Sequence, residues 1–180
     1  MKNLFLTAIA VIGFAFTAQA QNSGNVTLNV KLHPIQTLVV NPSQNNVDLN
    51  YHTTADYANG VSSAQADHLT VYSTGGFTVK VESATDAISS AVATNSNTLA
   101  ASSIEVVANE GSNALSEATY SPVNLSTTGG TLISSNTGGV NKKFNVEYKG
   151  AGADQYVNLY YNGENPTVYT TTVTYTISAQ

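Results

Sequence analysis

Tyr169-Thr170-Thr171-Thr172-Val173-Thr174-Tyr175-Thr176-Ile177 is the most regular stretch of this chain. Tyr169, Val173, Tyr175 and Ile177 share one face, and Thr170, Thr172, Thr174 and Thr176 form a threonine row on the other. A period of two belongs to a β-strand, whose successive side chains point to opposite sides of the sheet. The aromatic and aliphatic row suits a core. The β-branched row suits a solvated sheet surface.

Moving back along the chain, the same period recurs. Val157, Leu159 and Tyr161 form an alternating set that Asn162-Gly163 terminates. Phe144, Val146 and Tyr148 alternate with Asn145, Glu147 and Lys149. Strand-like pieces stand at Ile104 to Val107, Val123 to Leu125 and Thr131 to Ile133, with a shorter alternation at Val47, Leu49 and Tyr51. Leu69, Val71 and Ser73 lead into Gly75-Gly76, and Phe77, Val79 and Val81 follow; two alternating runs around a glycine pair predict a hairpin. Residues 53–67 read as a polar loop. Residues 82–103, mostly Ser, Ala, Thr and Asn, read as a long loop or a short helix near Thr85 to Val92. Near the start, Val26, Leu28, Val30 and Leu32 face one way, and Thr27, Asn29 and Lys31 the other, as in a half-buried strand. Pro34 interrupts that run, which resumes at Ile35, Leu38 and Val40 and so fits an edge strand. The expectation is one all-β domain over residues 21–180, an Ig-like antiparallel β-sandwich of about eight or nine strands.

Residues 1–20 read differently. Met1-Lys2-Asn3 is a charged start, Leu4 to Phe16 is nearly all apolar, and Ala18-Gln19-Ala20 is an A-x-A site. This pattern predicts a secretory signal peptide cleaved after Ala20, and a mature protein in the periplasm or at the extracellular cell surface. Charged residues make up only 9% of the chain, and arginine is absent. Without Lys2, five lysines stand against eleven acidic residues, too few cations to neutralise a phosphate backbone or hold an anionic membrane surface. No nucleic-acid partner is expected, and because no later segment reaches about 18 apolar residues, no membrane insertion either. With no cysteine, disulfides and a lipidated N-terminal cysteine are both excluded.

Chemistry-bearing patterns are sparse. His33, His52 and His68 lie in separate segments without zinc-ligand spacing, and read as surface or strand-end histidines. His52 and the Asp67-His68 pair flank one loop and could meet. No serine sits in a nucleophile elbow, and Gly129-Gly130 and Gly138-Gly139 read as turns rather than phosphate loops. The acidic residues form no preferred pair for glycoside chemistry and no calcium loop. An enzyme is not expected, nor a cofactor, nor a metal. Lys31 invites comparison with the Lys–Asn isopeptide crosslinks of some surface proteins, but alternation turns it outward. Six of the ten tyrosines fall between Tyr148 and Tyr175. Tyr161, Tyr169 and Tyr175 sit on inferred core faces. Tyr160 falls on the polar face and is the candidate surface contact, because an exposed tyrosine can stack on a sugar ring.

Asn25-Val26-Thr27-Leu28-Asn29-Val30-Lys31-Leu32-His33-Pro34-Ile35 resembles the N-terminal strand of alpha-class (class 5) fimbrial subunits, in which an alternating apolar segment runs into a proline and a second apolar run. Pro166 through Ile177 resembles the closing strand of that group and of related exported bacterial Ig-like domains of unknown function, and Leu69 to Val81 resembles their central pair. The resemblance covers about a third of the chain and rests on alternation patterns. It implies an Ig-like sandwich and assembly by strand exchange, with Val26, Leu28, Val30 and Leu32 as the donor strand for a neighbouring subunit. The expected function is a structural or adhesive cell-surface protein, of fimbrial-subunit type. The alternative is a monomeric carbohydrate- or cell-wall-binding module. Covalent tethering favours pairing of the first strand within its own chain in an isolated molecule.

Overall fold

A computed structural model describes residues 23–180, so the expected signal peptide and its cleavage site lie outside the described residues. The chain divides into two units at Leu32/His33. Of the first, residues 23–32 are described; they carry neither helix nor strand. The second, His33–Gln180, is an all-β antiparallel sandwich.

Its strands are β1 (Gln36–Val40), β2 (Ser62–Ser73), β3 (Phe77–Ser83), β4 (Ala87–Ser89), β5 (Thr98–Ala100), β6 (Ile104–Glu110), β7 (Thr119–Tyr120), β8 (Val123–Asn124), β9 (Gly130–Ser135), β10 (Gly139–Gly150) and β11 (Val173–Ala179). One sheet has the order β1-β2-β10-β6-β8 and the other β11-β3-β9-β7, while β4 and β5 form a separate ribbon. The core lies between the two main sheets. Leu69, Val71, Val106, Phe144 and Val146 enter it from the first, and Phe77, Val79, Val81, Leu132 and Ile133 from the second, each at most 1% exposed. The Phe77 and Phe144 rings meet edge to face across the sheets, with centroids 6.4 Å apart. Alternation along β10 and β11 follows the sequence pattern: Phe144, Val146, Tyr148 and Val173, Tyr175, Ile177 turn inward, and the threonines of β11 stay outside.

Several local expectations are overturned. The Gly75-Gly76 segment is not a hairpin turn: β2 pairs with β1 and β10, and β3 pairs with β11 and β9. The glycines carry the chain from one sheet to the other, so both alternating runs face the same core from opposite sides. The polar loop ends early. Residues 54–59 form α1 (Thr54–Asn59), capped by a reciprocal Thr53/Asp56 box and ended by Gly60 at φ 81°. β2 then begins at Ser62. Val47, Leu49 and Tyr51 alternate in burial without joining a ladder. No helix forms near Thr85 to Val92; β4 lies there, with Ile88 buried. Val157 lies in a turn, and Leu159 and Tyr161 in irregular chain rather than a strand. Here Ala153, Asp154 and Asn158 adopt positive φ of 52°, 57° and 74°, which a continuous strand cannot accommodate.

His68 is also displaced from its expected place at the surface. Between Leu69 and Gln65 the β2–β10 register slips, with Phe144 opposite Leu69 and Val146 opposite Gln65. Asp67 occupies the left-handed region of that bulge at φ 51°, and the chain turns both His68 and Leu69 inward. The bulge is fastened from outside. Ser112 donates its backbone N–H (2.8 Å) and hydroxyl (2.6 Å) to the Asp67 carboxylate, and Lys143 Nζ lies 2.9 Å away. Those serine bonds and the lysine hold the Asp67 carboxyl down at about 2. A Cβ on Gly111 would come within 2.7 Å of both Asp67 Oδ1 and the Lys143 carbonyl, so only glycine fits there.

Candidate functional site

Two features stand out: an exposed apolar segment and a cleft lined by tyrosines. In residues 23–32, Val26, Leu28, Val30 and Leu32 are 92%, 84%, 75% and 89% exposed. The half-buried strand expected there is not formed. Lys31 is exposed. In the sandwich unit, β1 and β11 are terminal strands of the two sheets and lie beside each other. Their inward residues Leu38, Val40, Val173, Tyr175 and Ile177 touch the core but are only partly buried, unlike the closed residues at its centre. A terminal strand presents one row of backbone N–H and C=O groups to whatever adds to it.

Behind β11 runs a chain of hydrogen bonds. Gln44 Nε2 donates to the Ala66 carbonyl at 2.9 Å, which turns Gln44 Oε1 towards His68 Nδ1, also at 2.9 Å. His68 Nδ1 therefore carries the proton and Nε2 accepts. Tyr148 donates to Nε2 at 3.0 Å, and Tyr175 completes the chain 2.6 Å from the Tyr148 oxygen. Every donor points the same way, which requires neutral His68. Burial accordingly pushes the His68 pKa below its ordinary 6.5, and pushes the Tyr148 and Tyr175 phenols up. His68 is a core histidine; His33 and His52 are exposed, and the His52 backbone N–H serves the Asp56 carboxylate of α1.

The cleft has a volume of about 260 Å³ and lies between α1 and the 151–160 loop, lined by Thr54, Tyr57, Asp154, Tyr156, Val157, Asn158 and Tyr160. Backbone bonds stitch its two walls together: Ala153 N–H to the Ala58 carbonyl (2.8 Å) and Asp154 N–H to the Tyr57 carbonyl (2.9 Å). The approach is so close that a Cβ on Gly152 would come within 2.6 Å of the Asn59 backbone. Half-buried Tyr51 packs against two of the lining rings. Its ring sits 5.3 Å from that of Tyr57 and 5.1 Å from that of Tyr156, and its hydroxyl donates to the Ala151 carbonyl. Burial pushes the Tyr51 phenol up to about 12. The Tyr156 hydroxyl is 2.7 Å from Ser103 Oγ. By contrast, the polar ends of Tyr57, Tyr160, Asp154, Asn158 and Thr54 have no hydrogen-bond partner among the described residues.

Tyr160, expected at the surface, is 54% exposed and lies on this cleft. Tyr161 and Tyr169 are tied down instead, to Thr94 Oγ1 (2.9 Å) and the Leu159 carbonyl (2.7 Å). Sequence reasoning missed Tyr57, Tyr156, Asp154 and Asn158. The available signal was the Gly150–Asp154 run, rich in residues that tolerate positive φ, inside the tyrosine-dense stretch. Among the described residues no helix is long and apolar enough to cross a membrane. No protein-family model matches the chain, and comparison with curated proteins gives no match.

Proposed function

We propose that this chain is an exported structural or adhesive cell-surface subunit that joins further copies by strand exchange. The observation that carries this reading is the exposure of Val26, Leu28, Val30 and Leu32, one every second residue. Four apolar side chains at β-spacing match what an incoming strand presents: main-chain bonds for affinity and alternate side chains for pockets. The receiving place is the seam between β1 and β11 of a second copy, where Leu38, Val40, Val173 and Ile177 await cover. Burying each donor residue there contributes about 1.5–3 kcal/mol before the cost of ordering the segment. The resemblance to fimbrial subunits supports the same reading.

Size-exclusion chromatography with light scattering, on exported protein across a wide concentration range, tests it. The wild type is expected to form multimers, and Leu28→Asp with Val30→Asp is expected to be monomeric. Both substitutions are on exposed residues, so the sandwich itself stays folded. A wild type that is monomeric throughout, or a double variant that assembles equally well, overturns the proposal.

A further inference from the structure

The tyrosine cleft is not used by strand exchange, yet its construction is that of a binding site. We propose that the cleft formed by Tyr57, Tyr156 and Tyr160 is a subsite for one neutral pyranose unit of a surface glycan. Three observations converge on this class of ligand.

The first is size. Drug-sized molecules occupy pockets of about 300–1,000 Å³. At about 260 Å³ this cleft falls just below that range, where a single sugar ring belongs. The second is chemistry. A pyranose has an apolar C–H face and a rim of hydroxyls. The cleft offers tyrosine rings for the face, and a rim of two phenols, the Asn158 amide, the Thr54 hydroxyl and the Asp154 carboxylate, all without partners among the described residues. Four of those five groups are neutral, so the site is built for hydroxyls. A quaternary ammonium would instead want ring faces closing around a point charge, and would leave the amide and hydroxyls unanswered. The third is rigidity. Positive φ at Ala153, Asp154 and Asn158 stores strain in a loop that backbone bonds to Tyr57 and Ala58 hold in place. The hydrogen bonds of Tyr51 and Tyr156 hold those two rings in place. A site made before the ligand arrives loses little freedom on binding.

Saturation-transfer NMR on the full exported protein tests this, with methyl glucopyranoside, methyl galactopyranoside, methyl mannopyranoside and N-acetylglucosamine as probes and tetramethylammonium as the competing cation. At least one sugar is expected to bind with a Kd of about 10 mM or tighter. The strongest transfer should come from its ring C–H protons. Tyr160→Ala is expected to weaken binding roughly tenfold through lost ring contact, and Asp154→Asn severalfold, both with an unchanged circular dichroism spectrum and assembly state. Three outcomes overturn the proposal. No sugar binds in that range; or binding is indifferent to both substitutions; or tetramethylammonium saturates the cleft while the sugars do not.

Discussion

Tyr148→Phe and Tyr120→Phe remove the same atom from two tyrosines of the same sandwich, and the structure predicts opposite outcomes. The Tyr148 hydroxyl donates to His68 Nε2 at 3.0 Å and lies 2.6 Å from the Tyr175 oxygen. Removing it strands a histidine nitrogen on a residue that is 2% exposed, and takes the acceptor from Tyr175. An orphaned buried polar group costs about 1–3 kcal/mol. Tyr175 stands on a terminal strand where water can replace part of the loss, so the two together come to about 2–4 kcal/mol. At ~2–4 °C per kcal/mol for a domain of this size, Tm falls by roughly 5–15 °C. The Tyr120 hydroxyl is buried with no hydrogen-bond partner among the described residues. Deleting it removes a desolvated dipole and keeps the ring against Phe144, so Tyr120→Phe is neutral or stabilising by up to about 1 kcal/mol. Urea denaturation at neutral pH, read by far-ultraviolet circular dichroism, measures both. Equal midpoints for the two variants, or a Tyr148→Phe protein as stable as the wild type, would show that the Gln44–His68–Tyr148–Tyr175 chain does not stabilise the core as argued.

Three further outcomes are expected. Because burial lowers the folded-state pKa of His68, its contribution is complete above about 6.5 and is lost progressively as pH falls below that value; the Asp67 contribution is lost later, as pH falls from 3.8 towards 2. Denaturant midpoints across that range check both, and a flat profile between neutral pH and pH about 5 defeats the histidine argument. Tyr175→Ala is expected to cost about 2–4 kcal/mol, somewhat less than a fully buried aromatic, whereas Thr174→Ala stays within about 0.5 kcal/mol; equal midpoint shifts would mean the β11 register is wrong. Intact-mass measurement of the exported protein should show a chain beginning at Gln21, and a mass that retains Met1 to Ala20 defeats the cleavage expectation.

The sequence by itself determined the class of fold, and the reason is geometric. A strand with one face in a core and one in water writes its period into the residues, and Phe144 to Tyr148 and Val173 to Ile177 are legible for that reason. Composition did as much to shape expectations about partners, because a chain with so few cations has little to offer a phosphate backbone. Alternation does not say which strand is the neighbour. Gly75-Gly76 reads identically as a hairpin turn or as a crossing between sheets, and only packing both runs onto one core selected the crossing. Nor does alternation survive a bulge: His68 turns inward because Asp67 takes a left-handed conformation held by Ser112 and Lys143, residues far away in the sequence. Tyr160 was singled out as a contact residue from a strand that does not exist, and the residue nevertheless lies on the cleft. That cleft could not be read from sequence, because Tyr57 and Tyr156 become neighbours only when α1 and the 151–160 loop are bonded backbone to backbone. What is periodic is local and visible in the chain; what is brought together across about a hundred residues is decided by the core that closes between the two sheets.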